Sequence, residues 1–129
     1  MKRAIALITV IVSFFISGCA TLADAQAARG TGTIRIYDKE YSEVWSAALT
    51  AVSESGLALV SENKDKGTIL AQRGMTAFSY GENVAIFVER VDGQVRTRVE
   101  VVNKRALATN ITAADWEEDL TGRLDKKLK

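Results

Sequence analysis

The chain has 129 residues, room for one modest domain, and its 47% hydrophobic and 26% charged content is that of a folding chain rather than a disordered one. Basic and acidic residues nearly cancel, 17 against 16, which leaves no electrostatic footprint for nucleic acid. There is no histidine, the commonest acid–base catalyst and metal ligand, and the single cysteine excludes an intramolecular disulfide.

The first 19 residues have three parts: the cations Lys2 and Arg3, an apolar run from Ala4 to Ile16, and Ser17-Gly18-Cys19. The run is about 13 residues, roughly 20 Å as a helix, which falls short of a ~30 Å hydrocarbon core. It has the form of a secretory h-region. Ile16-Ser17-Gly18-Cys19 resembles the bacterial lipobox, in which the cysteine becomes the first mature residue. The resemblance implies cleavage between Gly18 and Cys19, diacylglycerol on the Cys19 sulfur and an acylated new N-terminus. Such a cysteine exceeds the two signals that stable anchoring requires. The alternative is an ordinary secretory signal cut near Ala23 or Ala25. Ala20, rather than Asp, follows the cysteine. By resemblance to the sorting of proteobacterial lipoproteins, this implies the outer membrane with the domain in the periplasm.

Residues 19–32 read as the lipidated cysteine and a flexible tether, with an r.m.s. reach on the order of 20 Å. The folded domain is expected over 33–129. Thr33-Ile34-Arg35-Ile36-Tyr37 alternates as a strand does. Asp38 is placed to cap a following helix, in which Tyr41, Val44, Trp45, Ala48, Leu49 and Val52 share one face. Gly56 suits the left-handed position that ends it. Strands 57–62 and 68–73 flank a polar, Gly-ended connection and read as a hairpin. An irregular stretch covers 74–82.

Strands 83–91 and 94–103 are joined by Asp92-Gly93, the type I′ signal. That turn sets Val88 opposite Thr97, Ile86 opposite Val99 and Val84 opposite Val101 on one face. Glu89 meets Arg96, Phe87 meets Arg98 and Ala85 meets Glu100 on the other. A final helix is expected over 113–128, with a capping box of Thr112 and Asp115 and an apolar stripe of Trp116, Leu120, Leu124 and Leu128. Acidic residues lie in its first turns and basic ones near its end, as the helix dipole favours. The order β-α-β-β-β-β-α gives an α+β fold, a single antiparallel sheet with both helices on one face.

Residues 77–88, Ala-Phe-Ser-Tyr-Gly-Glu-Asn-Val-Ala-Ile-Phe-Val, together with 99–111, Val-Glu-Val-Val-Asn-Lys-Arg-Ala-Leu-Ala-Thr-Asn-Ile, resemble a group of small uncharacterised bacterial lipoproteins. Tyr37-Asp38, Tyr41-Ser42-Glu43-Val44-Trp45 and Ser61-Glu62-Asn63 with Gly67-Thr68-Ile69 more loosely resemble BamC-like domains of the outer-membrane protein assembly machinery. These resemblances imply fold and location and no activity.

No catalytic, metal or cofactor constellation emerges. The acidic cluster at the last helix's start reads as a helix-stabilising device, and Trp45 and Trp116 as core. Continuing the hairpin register brings Tyr80, Glu82, Lys104, Arg105 and Asn110 to one end of the sheet, amphipathic aromatics and cations being typical of contact surfaces. They form a candidate partner- or ligand-contact patch; a purely structural role, with Glu82 neutralising Lys104 or Arg105, competes with it. The expected protein is a non-enzymatic, membrane-anchored envelope module that interacts with another envelope protein or supports assembly. The competing reading is a carrier or sensor with an apolar pocket beneath Trp45 and Trp116.

Overall fold

The computed structural model describes residues 20–74, 81–105 and 114–129. Its elements are α1 (Leu22–Ala27), β1 (Thr33–Tyr37), α2 (Tyr41–Ser55), β2 (Ala58–Asn63), β3 (Thr68–Arg73), β4 (Glu82–Arg90), β5 (Thr97–Arg105) and α3 (Trp116–Leu128). The five strands form one sheet in the order β1-β5-β4-β3-β2, and every neighbouring pair is antiparallel. The fold is therefore α+β, as the pattern of elements indicated.

One face of the sheet carries the main core. Ile69, Ala71, Val84, Ile86, Val88, Val99 and Val101 meet the apolar stripes of α2 and α3 there. The α2 stripe is the expected one with Ala51 added, and Leu49 is only partly buried. Trp116, Leu120, Leu124 and Leu128 are all buried, as their spacing required. Both tryptophans belong to this core, and Trp45 stacks on Tyr41 with ring centroids 6.1 Å apart. Gly56 closes α2 at φ 86°, the left-handed C′ geometry that glycine adopts without a Cβ penalty.

Both helix starts differ from expectation. Glu40, not Asp38, is the N-cap of α2, and it makes no side-chain cap bond. Asp38 instead approaches Arg96 at 3.9 Å. The last helix begins at Trp116 because Asp115 itself is the N-cap, its carboxylate accepting from the N–H groups of Glu117 and Glu118. Thr112 lies outside the described residues.

The hairpin register is shifted by two. Val88 pairs with Val99, Ile86 with Val101, Glu89 with Arg98, Phe87 with Glu100 and Ala85 with Val102. A type I′ turn needs positive φ at both central residues. Gly93 has φ 71°, but no non-glycine residue is positive among those described, so Asp92 does not supply the second. The strands instead close through Val91 N–H to the Arg96 carbonyl at 3.0 Å, and Gln94 and Val95 join the loop. Because side chains alternate with a period of two, a two-residue slip keeps every apolar group on its expected face.

The largest departure is at the start of the described chain. Residues expected to form a flexible tether instead form α1, which packs on the opposite face of the sheet. Ala25, fully buried, and Ala28 sit on Leu70, Ala85, Phe87 and Val102. The sheet is thus covered by helices on both faces, not one.

Candidate functional site

The site is built where α1 and the turn after it meet the sheet. Thr21 caps α1 in a reciprocal box: its hydroxyl accepts from Asp24 N–H at 3.3 Å, while Asp24 Oδ2 accepts from Thr21 N–H at 2.6 Å and from the hydroxyl at 2.8 Å. These bonds hold the Asp24 carboxyl below its ordinary range. One residue earlier, the Ala20 carbonyl accepts from Asn83 Nδ2 at 2.9 Å, and Asn83 Oδ1 in turn accepts from Gln72 Nε2 at 2.9 Å. Asn83 is buried, so this anchor point does not move freely.

After α1 the chain turns through Arg29-Gly30-Thr31-Gly32. Gly30 has φ 95°. A Cβ on Gly32 would lie 2.1 Å from the Val101 carbonyl oxygen, so glycine is required for the close approach to β5. Both glycine N–H groups donate to Oε1 of Glu100, Gly32 at 3.1 Å. Glu100 Oε2 pairs with Arg98 at 3.0 Å, and Arg98 also reaches Glu89 at 2.8 Å. Arg29 completes the chain of charges by pairing with Glu89, its guanidinium 4.8 Å from the centre of the Phe87 ring. Burial alone would raise the Glu100 pKa; the bonds from Gly32, Gly30 and Arg98 outweigh it and leave the carboxyl lowered and charged.

The sequence-derived patch is only partly assembled. Glu82 and Arg105 are direct cross-strand partners, and Arg73 lies on the other side of Glu82, making one row across three strands. Lys104 pairs with Asn83 in the next row and so projects to the opposite, α1-bearing face. Lys104 lies on that face in either register, because a slip of two changes no side chain's face; what the slip changes is that Arg105, rather than Asn103, stands opposite Glu82. Tyr80 and Asn110 lie outside the described residues, as do Gly18 and Cys19.

Sequence reasoning missed Glu100, Asn83 and the Gly30–Gly32 turn. The Thr21/Asp24 spacing and the two nearby glycines were the available signals. It also passed over Ser61-Glu62-Asn63-Lys64, a Ser-x-x-Lys spacing. That segment is an exposed edge strand running into a turn, where residues three apart point to opposite faces, so the spacing does not pair serine with lysine as a helix would.

The apolar pocket of the carrier reading has no counterpart in the groove between α2 and α3. That groove, about 370 Å³, is lined by charged side chains, including Glu54, Asp119, Arg123 and Lys127. Among the described residues no helix is long and apolar enough to cross a membrane.

Residues 2–102 match a family described as "Protein of unknown function (DUF3568)". The chain belongs to the DUF3568 family. The DUF3568 match takes in Cys19, α1, the glycine turn and Glu100, and it ends within β5, before Lys104, Arg105 and α3. No curated protein matches the chain.

Proposed function

We propose that this DUF3568 protein is a bacterial lipoprotein of the cell envelope, anchored through acylated Cys19 and facing the periplasm from the outer membrane. Its domain serves as a non-enzymatic interaction or assembly-accessory module. The observation that carries the reading is the order of the first 19 residues: two cations, a short apolar run, then Ile16-Ser17-Gly18-Cys19. The resemblance to small lipoproteins, and the looser one to BamC-like domains, support the same placement. The lack of histidine and the consumption of the only thiol by acylation support a role without catalysis.

Metabolic labelling with a palmitate analogue tests the anchor. Label in the wild-type protein, lost in Cys19→Ala together with membrane retention, is the expected result. A mature protein that is unlabelled and soluble would end this reading in favour of an ordinary secreted one. Crosslinking in intact cells then tests the interaction role, which expects one discrete adduct with an envelope protein that is reproduced by the acylated form and reduced in Cys19→Ala.

A further inference from the structure

The inference rests on the anchor reading above and concerns what the anchor holds. A cysteine followed by some 13 loose residues would let a domain tumble within a reach on the order of 20 Å. The fold leaves no such slack. Consecutive Cα atoms are about 3.8 Å apart, so Cys19 is bound directly to a residue whose carbonyl is held by buried Asn83. From Thr21 onward the chain is capped, helical and packed.

The rim of the sheet at this point is the end where β3 and β5 finish and β4 begins. The last row among the described residues is Arg73, Glu82 and Arg105, and the next is Gln72, Asn83 and Lys104. Arg73 and Arg105 are exposed and Lys104 is half-buried. None of the three makes an ion pair among the described residues, although Asp24 is near enough to feel Lys104. Arg73 covers the Trp116 ring at 5.6 Å. The acids that begin α3, Asp115, Glu117 and Glu118, share the sheet face of Arg73 and Arg105, and among the described residues none of them is ion-paired with either arginine. Ala20 enters on the α1 side, the side of Lys104.

We infer that the domain stands on the bilayer without a tether, in one orientation, with the rim of Lys104, Arg105 and Arg73 turned to the anionic phospholipid headgroups of the leaflet that holds the anchor. Cations near such a surface are attracted to it, and the attraction fades within a Debye length. The fixed junction at Ala20 keeps them inside that distance. The loop around Asp92 lies at the far end of β4, a nine-residue strand, and so stands roughly 30 Å from the rim.

The test uses the full-length acylated protein in vesicles of phosphatidylethanolamine and phosphatidylglycerol, with phosphatidylcholine vesicles for comparison. A fluorophore is placed on Gly74→Cys, where an added side chain meets nothing within 4 Å, or on Asp92→Cys in the far loop. Quenching by headgroup-spin-labelled lipid is expected to be at least about threefold stronger at 74 than at 92, given the separation along the strand. Lys104→Glu with Arg105→Glu is expected to reduce that ratio in the anionic vesicles, read at a temperature where circular dichroism shows the variant folded, and a Gly/Ser spacer inserted after Cys19 to abolish it. Equal quenching at the two sites in acylated protein that floats with the vesicles would overturn the fixed orientation alone. A ratio indifferent to both charge reversal and lipid charge would overturn the role of the cations. Protein that fails to float has no acyl anchor, and both readings then fall.

Discussion

Replacing Glu100 with alanine is expected to loosen the α1 side of the molecule more than any other single change there. The carboxylate accepts from two backbone N–H groups and pairs with Arg98, all while fully buried. A hydrogen bond to a charged group contributes about 1.5–3 kcal/mol, and breaking a buried pair costs about 3–5 kcal/mol. Arg98 keeps Glu89 and is 26% exposed, which moves the estimate to the lower end. The expected loss is about 3 kcal/mol, or roughly 12 °C in melting temperature at about 4 °C per kcal/mol for a domain of this size. Glu100→Gln retains an acceptor for the glycines and loses the charge, so about 1–2 kcal/mol is expected. Denaturant melts measure the totals, and amide exchange locates them: protection should fall first at Gly30 and Gly32. A loss under about 1 kcal/mol in Glu100→Ala, with those two amides still protected, would refute the reasoning, since a clamp of this strength cannot be removed without effect.

The same carboxyl gives the molecule an acid limit. Burial pushes the Glu100 and Asp125 pKa values up, but hydrogen bonds and neighbouring cations hold both below their ordinary values of 4.5 and 3.8. Their contribution is complete above those values and is lost as pH falls through the lower folded ones, so stability should decline below about pH 4.5, and less steeply in Glu100→Gln. Tyr37 works in the opposite sense. Burial, with its hydrogen bond to Asp125, raises its pKa, so its contribution is present below pH 10 and disappears at higher pH, and Tyr37→Phe should flatten the alkaline limb of a thermal-melt series. Two glycines should respond with opposite sign in the same melts. Gly32→Ala drives a Cβ against the Val101 carbonyl and is expected to cost about 2 kcal/mol or more, whereas Gly122→Ala meets open space within α3 and should stabilise by about 1 kcal/mol.

The elements that were legible in the sequence are those whose pattern repeats. The α2 and α3 stripes run for three or more turns, so their burial could be read from spacing, whereas β4 is apolar without a break from Val84 to Val88 and is buried on both faces. Register could not be read from spacing. A slip of two residues leaves the faces of Val84, Ile86 and Val88 unchanged, and Asp92-Gly93 argued for the wrong loop. The observed pairing is instead consistent with a contact outside the hairpin, Thr97 donating to the Lys39 carbonyl at 2.9 Å, and with the Arg98–Glu89 ion pair across it. Helix α1 escaped notice because six residues are too few to establish a period, and its worth lies in small side chains, Ala25 and Ala28, that say little until the surface beneath them is known. In the patch the register error changed one pairing, setting Arg105 rather than Asn103 against Glu82, while alternation puts Lys104 on the other face in either register.

The strand that opens the sheet is paired only with the strand that comes last. Thr33 lies opposite Val101, and the Gly30 clamp closes on Glu100, 70 residues along the chain. Neither contact can form before residues 100 and 101 have been made, and the core is completed only when Leu120 and Leu124 join the α2 side chains. Such distant closures are slow to nucleate. A nascent chain of this design stays open until nearly all of it exists, which is the condition under which a polypeptide can be threaded through a narrow channel and fold on the far side.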